Sequence, residues 1–251
     1  MGCDTAKARR IPMWRQSRIL NIFVVTVFVL DVEVVSRSVA SLFSDLFPTL
    51  ALDHSWILLF IYTTVQMCSA IFIIKIVLRG KLKNYGFRTD KLHESFRSVL
   101  RAIVFLAPIL IISWYTAYVA NIRPFLEISL TAPNVIGMLC LRWIYIGLAE
   151  EIYFRGLLQT LLGTMWDNGS IPKSILIASA VSGLLHLSLY PIPMGAKVNL
   201  LESFYSFGLG ILFGYIYWKT KSLLGSILIH NIVEGTLLTG NMVLVMLAGG
   251  K

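Results

Sequence analysis

The sequence predicts an all-α fold, a polytopic transmembrane helical bundle of about seven to eight spans, on three observations. Hydrophobic residues make up 57% of the chain and charged residues only 14%, with a mean hydropathy of +0.76; this is the composition of a membrane protein, not of a soluble domain. The apolar residues fall mostly into runs of about 17–25, the length that crosses a hydrocarbon core of about 30 Å. The basic residues behind the net charge of +9 sit in short segments between those runs, where they set membrane orientation rather than form a surface for nucleic acid. The chain therefore divides into a basic cytoplasmic tail, residues 1–18, and a single transmembrane domain, residues 19–251.

The elements follow in order. The tail carries Lys7, Arg9, Arg10, Arg15 and Arg18, and Ala6 stands where N-myristoylation wants Ser or Thr. The apolar run 19–30 lacks a small-residue cleavage site, so it reads as a signal anchor that continues to about residue 46. Asp31, Glu33 and Arg37 make its second half unusual; either these charges face the bundle interior or the helix leaves the membrane early. Residues 56–78 form the second span, 79–101 a basic loop and 102–121 the third span. The two prolines within 123–134 mark a loop. Residues 135–166 form a long fourth span, followed by a turn at 167–172. The fifth span, 173–190, ends at Pro191 and Pro193. The sixth covers 201–218 and the seventh 223–247. In the sixth, Ser206, Gly210 and Gly214 recur every four residues, the signature of close helix packing or of a dimer face. Cys3, Cys68 and Cys140 show neither paired nor metal-type spacing. Placing the N-terminus in the cytoplasm puts the 1–18 and 79–101 clusters, Lys173, Lys219 and Lys221 inside, against Arg123, Lys197 and Lys251 outside; this satisfies the positive-inside rule.

The fourth span carries the chemistry. Glu150, Glu151 and Arg155 lie within an apolar run, and each ionisable group at membrane depth costs roughly 2.5–3.5 kcal/mol on insertion scales, which marks a functional site. Glu151 and Arg155 are four apart, share a helix face and can pair. Glu150 points about 100° away, with no local partner. Arg142, two turns earlier, either snorkels to the surface or partners a carboxylate. Further along, His186 lies in the fifth span, and His230 and Glu234 share a face of the seventh. At about 1.5 Å per residue, Glu150 lies about 24 Å from the inner surface, His186 about 20 Å and His230 about 11 Å. All three fit within the core. Two histidines and two carboxylates on three helices can activate water and stabilise an oxyanion.

Glu150-Glu151-xxx-Arg155 resembles the EExxxR motif of the CPBP family, the CAAX-protease and bacteriocin-processing intramembrane proteases. His186 in the next helix and an HxxxN-type motif beginning at His230 resemble the rest of that pattern, over about residues 80–240. The resemblance implies a glutamic intramembrane endopeptidase in which Glu150, assisted by His186, activates water, while His230 and its i+4 partner hold the oxyanion. Glu151 and Arg155 supply structural support. It also implies a membrane-anchored or lipidated protein substrate, and a prokaryotic cell membrane is the expected setting. Two positions depart from the family: Ser182 stands where Phe is usual, and Glu234 where Asn is usual. Asn donates to an oxyanion; Glu does so only when protonated. Glu234 is then a protonated donor, an orienting group for His230, or a cation ligand.

Other readings use the same residues. Glu150, His186 and His230 form a His/His/Glu set that zinc accepts in catalytic sites. There is no HExxH helix, so no obligatory metal is expected. A proton-coupled transporter or membrane chaperone also uses buried Glu and His, but the paired broken helices of transporter repeats are missing from the pattern. A Ser182–His186 dyad on one helix has poor geometry for a nucleophile and its base.

Overall fold

The computed structural model describes residues 18–119, 131–167, 172–188 and 200–249. Most of the basic tail, the loop around Arg123, the Pro191/Pro193 end of the fifth span and Lys197 lie outside them. All regular structure among the described residues is helical: α1 (Arg18–Leu46), α2 (Pro48–Asp53), α3 (Ser55–Phe72, continued by a π turn, Ile73–Val77), α4 (Leu92–Val119), α5 (residues 132–166), α6 (Lys173–Ser188), α7 (Leu200–Thr220) and α8 (Leu223–Gly249), with a 3-10 turn at Leu82–Tyr85. By length and composition, Trp56–Val77, Leu92–Thr116 and Leu223–Leu247 are apolar enough to cross a membrane. The other expected spans are helices as well, but α1 and α5 carry the intramembrane charges and α6 is shorter.

The helix α5 is the axis of the bundle. Every residue from Glu151 to Gln159 is buried. Ile152, Tyr153, Phe154, Leu157 and Leu158 form a core with Val32 of α1, Ala70 and Ile74 of α3, Ala178 of α6 and Tyr217 of α7. A second core joins Val99 and Ala102 of α4 to Phe213 and Ile216 of α7 and Ile229 and Val233 of α8. By contrast α4 exposes Val104, Phe105, Ile111, Ile112 and Tyr115. Such a face suits lipid, where every backbone group is already bonded within the helix.

One expectation is corrected in detail. The basic stretch 79–101 is not all loop, because α4 begins at Leu92. Ser95, Val99 and Ala102 face inward, while Arg97 and Arg101 project outward. An amphipathic turn keeps its helical period while its charges lower its hydropathy. The shorter loop that remains is docked on the start of α8: Leu223 N donates to Gly86 O at 2.9 Å and Ser222 Oγ to Arg88 O at 3.0 Å. Gly86 adopts φ +87 there, a left-handed conformation natural to glycine. Nearby, Arg88 donates twice to Asp90 and holds that carboxyl down to about 2.

The charges of α1 divide. Asp31 is exposed, whereas Glu33 faces the interior. Glu33 accepts from Tyr62 Oη at 2.7 Å, Gln66 Nε2 at 2.9 Å and Arg37 Nη2 at 3.2 Å. A buried carboxylate with three donors is satisfied, and it ties α1 to α3.

The small-residue face of α7 is used within the chain. A Cβ on Gly210 would meet Ser179 Cβ at 3.0 Å, and one on Gly214 would meet Gln159 Oε1 at 2.9 Å. The carbonyls of Gly210 and Gly214 accept from Arg155 Nη2 at 2.9 Å and Gln159 Nε2 at 3.0 Å. Close approach of α7 to α5 and α6 is what these glycines permit.

Candidate active site

Helix α5 is not one straight α-helix. It runs as Ala132–Cys140, a π turn Leu141–Tyr145, Ile146–Glu151, a π stretch Ile152–Gln159 and Thr160–Trp166. A π turn shifts the helical register by one residue and leaves neighbouring backbone groups in need of partners. Asn231 of α8 supplies them after the first turn: Asn231 Nδ2 donates to Ile144 O at 2.9 Å, and Gly147 N donates to Asn231 Oδ1 at 2.8 Å. This clasp fixes α8, and with it His230, against the helix that carries Glu150.

It also explains Gly147, where a Cβ would lie 2.5 Å from Asn231 Oδ1 and 3.0 Å from His230 Cβ. Gly147→Ala should therefore push the helices apart at a cost of about 1–3 kcal/mol, read as a lower melting midpoint. It should slow the reaction by up to about 10²-fold, the effect of misplacing a reacting group by about 1 Å. Unchanged melting and rate would show that the clasp does not set the spacing.

Glu151 is the hub. It is fully buried, and Arg155 is only 2% exposed. Arg155 Nη1 lies 3.2 Å from Glu151 Oε1, and His230 Nδ1 lies 2.8 Å from the same oxygen. A carboxylate paired with arginine can only accept, so His230 donates Nδ1–H. Its ring stacks on Phe213 with centroids 4.7 Å apart. Nε2 is thereby directed at Glu150, 3.8 Å from Oε2. Sequence spacing makes Glu151 a partner of Arg155; its bond to His230 spans 79 residues and has no sequence signature.

The remaining candidates are placed as follows. His186 lies near the end of α6 with Nδ1 3.8 Å from Glu202 Oε1, in the first turn of α7. The charges of Glu150 and Glu234 also act on it. Glu202, a residue with no place in the sequence reading, is thus its nearest recorded acidic neighbour. Glu234 pairs with Arg142, whose Nη1 donates to Glu234 Oε2. Of the two expectations for Arg142, partnering a carboxylate is the one realised. Ser182 is buried on α6. The helices thus gather Glu150, Glu151, Arg155 and His230 in direct sequence of contact, with Glu234 and His186 at the edges. Among the described residues no group of three or more His, Cys, Asp and Glu is arranged to hold a metal ion. His230 spends Nδ1 on Glu151, and His186 faces Glu202.

Residues 132–236 match the family model described as Type II CAAX prenyl endopeptidase Rce1-like. No curated protein and no solved structure matches the chain.

Proposed function

Because residues 132–236 match the Type II CAAX prenyl endopeptidase Rce1-like family model, a family of membrane peptide hydrolases, we propose that the chain is such an endopeptidase and that Glu150 is the general base of a glutamic-type reaction. The observation that carries this reading is the orientation of His230: clamped through Nδ1 by the Glu151–Arg155 pair, it presents Nε2 to Glu150 at 3.8 Å. A water between Glu150 and the scissile carbonyl loses its proton to Glu150 as its oxygen bonds the carbonyl carbon. His186 orients that water. In this step His230 is doubly protonated, donating Nδ1–H to Glu151 and Nε2–H to the oxyanion. Collapse breaks the C–N bond, and the proton held by Glu150 passes to the departing amine. Preorganised donors of this kind act strongly where water is excluded.

The substrate in this reading is a membrane-associated, lipidated protein. An apolar groove of about 510 Å³ between α3 and the first part of α5, lined by Trp56, Phe60, Ile136, Leu141, Ile144 and Tyr145, offers a lipid chain a path toward the residues just before Glu150. The N-terminus is proposed to be cytoplasmic. Purified protein in nanodiscs, given a farnesylated C-terminal peptide, should release a short C-terminal fragment in a Glu150-dependent manner. No cleavage of any lipidated or membrane-anchored peptide would overturn the reading.

The chemistry described needs no metal. Enzyme treated exhaustively with chelator should keep its rate within about twofold, since no step passes through a Lewis acid. Loss of activity on chelation, restored by stoichiometric zinc, would favour the metal-dependent alternative.

A further inference from the structure

Three polar atoms along one seam of the bundle find no hydrogen-bond partner among the described residues: Arg155 Nε, Gln159 Oε1 and Ser179 Oγ. None of the three residues is more than 3% exposed. Buried polar atoms are nearly always bonded, and leaving one unmet is costly. The seam lies where α5, α6 and α7 meet. Arg155 and Ser179 both reach α7 at Gly210: Arg155 Nη2 donates to its carbonyl at 2.9 Å, and Ser179 Oγ lies 3.1 Å from where a Cβ would stand. Gln159 reaches α7 one turn on, at Gly214. There its Nε2 donates to the carbonyl at 3.0 Å, and its Oε1 lies 2.9 Å from where a Cβ would stand.

The chemistry of the three atoms selects the ligand. The bond to Gly214 O fixes the amide of Gln159, because only its nitrogen can donate; Oε1 is thus an acceptor. Arg155 Nε is a donor only, and the serine hydroxyl is both. The other edges of the guanidinium are engaged by Glu151 and Gly210 O, and Cζ lies 5.7 Å from the ring centres of both Phe154 and Phe213. A halide would repel Oε1, and a metal ion would repel the guanidinium. Water donates and accepts at this size, and an internal water makes about three such bonds.

We infer that water is bound between α5, α6 and α7 on Arg155 Nε, Gln159 Oε1 and Ser179 Oγ, and that it holds the guanidinium on which the orientation of His230 depends. A chain of contacts leads from this site to the reacting carboxylate. Arg155 Nη1 lies 3.2 Å from Glu151 Oε1, that oxygen lies 2.8 Å from His230 Nδ1, and His230 Nε2 lies 3.8 Å from Glu150 Oε2. Ser179 and Gln159 are therefore positioning residues that act through Arg155. Their effect on rate rests on the endopeptidase reading above; the water site does not.

The test uses the full chain and Ser179→Ala, which removes one hydroxyl and adds no volume. Two readouts need no substrate. If the hydroxyl is an orphan, its removal relieves a buried unmet group, and the melting midpoint in nanodiscs rises. If it binds water, its removal takes away a partner, and the midpoint stays equal or falls. A crystal structure of the parent grown from lipid should show ordered water within about 2.7–3.2 Å of Gln159 Oε1 and Ser179 Oγ, and it carries the test alone if the variant does not fold. A raised midpoint, or no ordered water in the seam at a resolution that shows other internal waters, overturns the inference. With a farnesylated peptide, Ser179→Ala should lower kcat at least about threefold at unchanged KM, a small part of the roughly 10²-fold lost when a reacting group is misplaced by about 1 Å. An unchanged kcat overturns the positioning role. Absence of any Glu150-dependent cleavage by the parent overturns the endopeptidase reading and the positioning role with it; melting and ordered water then decide the site by themselves.

Discussion

Glu150→Gln should leave a folded protein that no longer hydrolyses peptide. The amide is nearly isosteric with the carboxylate but cannot take a proton from water, and a positioned general base contributes about 10²–10⁴-fold to a rate. Folding should survive because the recorded neighbour of Glu150 is His230 Nε2 at 3.8 Å, longer than a hydrogen bond, so the substitution strands no strong donor. The variant should match the parent in yield, gel-filtration profile and melting midpoint while uncleaved precursors accumulate in membranes, detectable by mass spectrometry. Turnover within threefold of the parent would remove Glu150 from the mechanism.

Glu151→Gln and Arg155→Ala should do the opposite and cost the fold as well as the reaction. Glu151 is fully buried and holds both Arg155 and His230. Replacing Arg155 by Ala leaves that carboxylate without its cation and Gly210 O without its donor. Breaking one partner of a buried ion pair costs about 3–5 kcal/mol, a large part of the stability of a single domain. Protein levels should drop, and the melting midpoint of what remains should fall by many degrees. Glu151→Gln/Arg155→Gln, which strands no charge, should recover stability without recovering activity, because His230 exchanges a carboxylate for a neutral, weaker amide acceptor that does not stabilise the doubly protonated ring. Wild-type melting in either single variant would contradict the hub assigned to Glu151.

The sequence displays what is local. Apolar runs announced the helices, and the four-residue spacing of Glu151 and Arg155 announced their pairing, which the structure contains. The spacing of Glu33 and Arg37 did the same in α1. What the sequence hides is tertiary. The bond from His230 to Glu151 and the pairing of Arg142 with Glu234 join positions 79 and 92 residues apart, and no periodicity encodes which of several polar groups will meet. Asn231 has no part in the sequence reading; its clasp has meaning only once a π turn has displaced the backbone of α5. The start of α4 was misplaced because hydropathy treats Arg97 and Arg101 as an interruption, whereas the helix simply turns them outward.

The way the ion pairs are distributed also bears on how the chain is built into a membrane. Glu33–Arg37 and Glu151–Arg155 are each closed within one helix, four residues apart. Each of these two pairs can therefore leave the insertion machinery already neutralised, before any later helix exists. Arg142–Glu234 and His230–Glu151 close only when α8 arrives. Until then Arg142 lacks Glu234 and the site has no histidine on Glu151. The arrival of α8 thus completes both the described bundle and the candidate centre in one step, so a chain stopped before α8 is an assembly intermediate in which neither is formed.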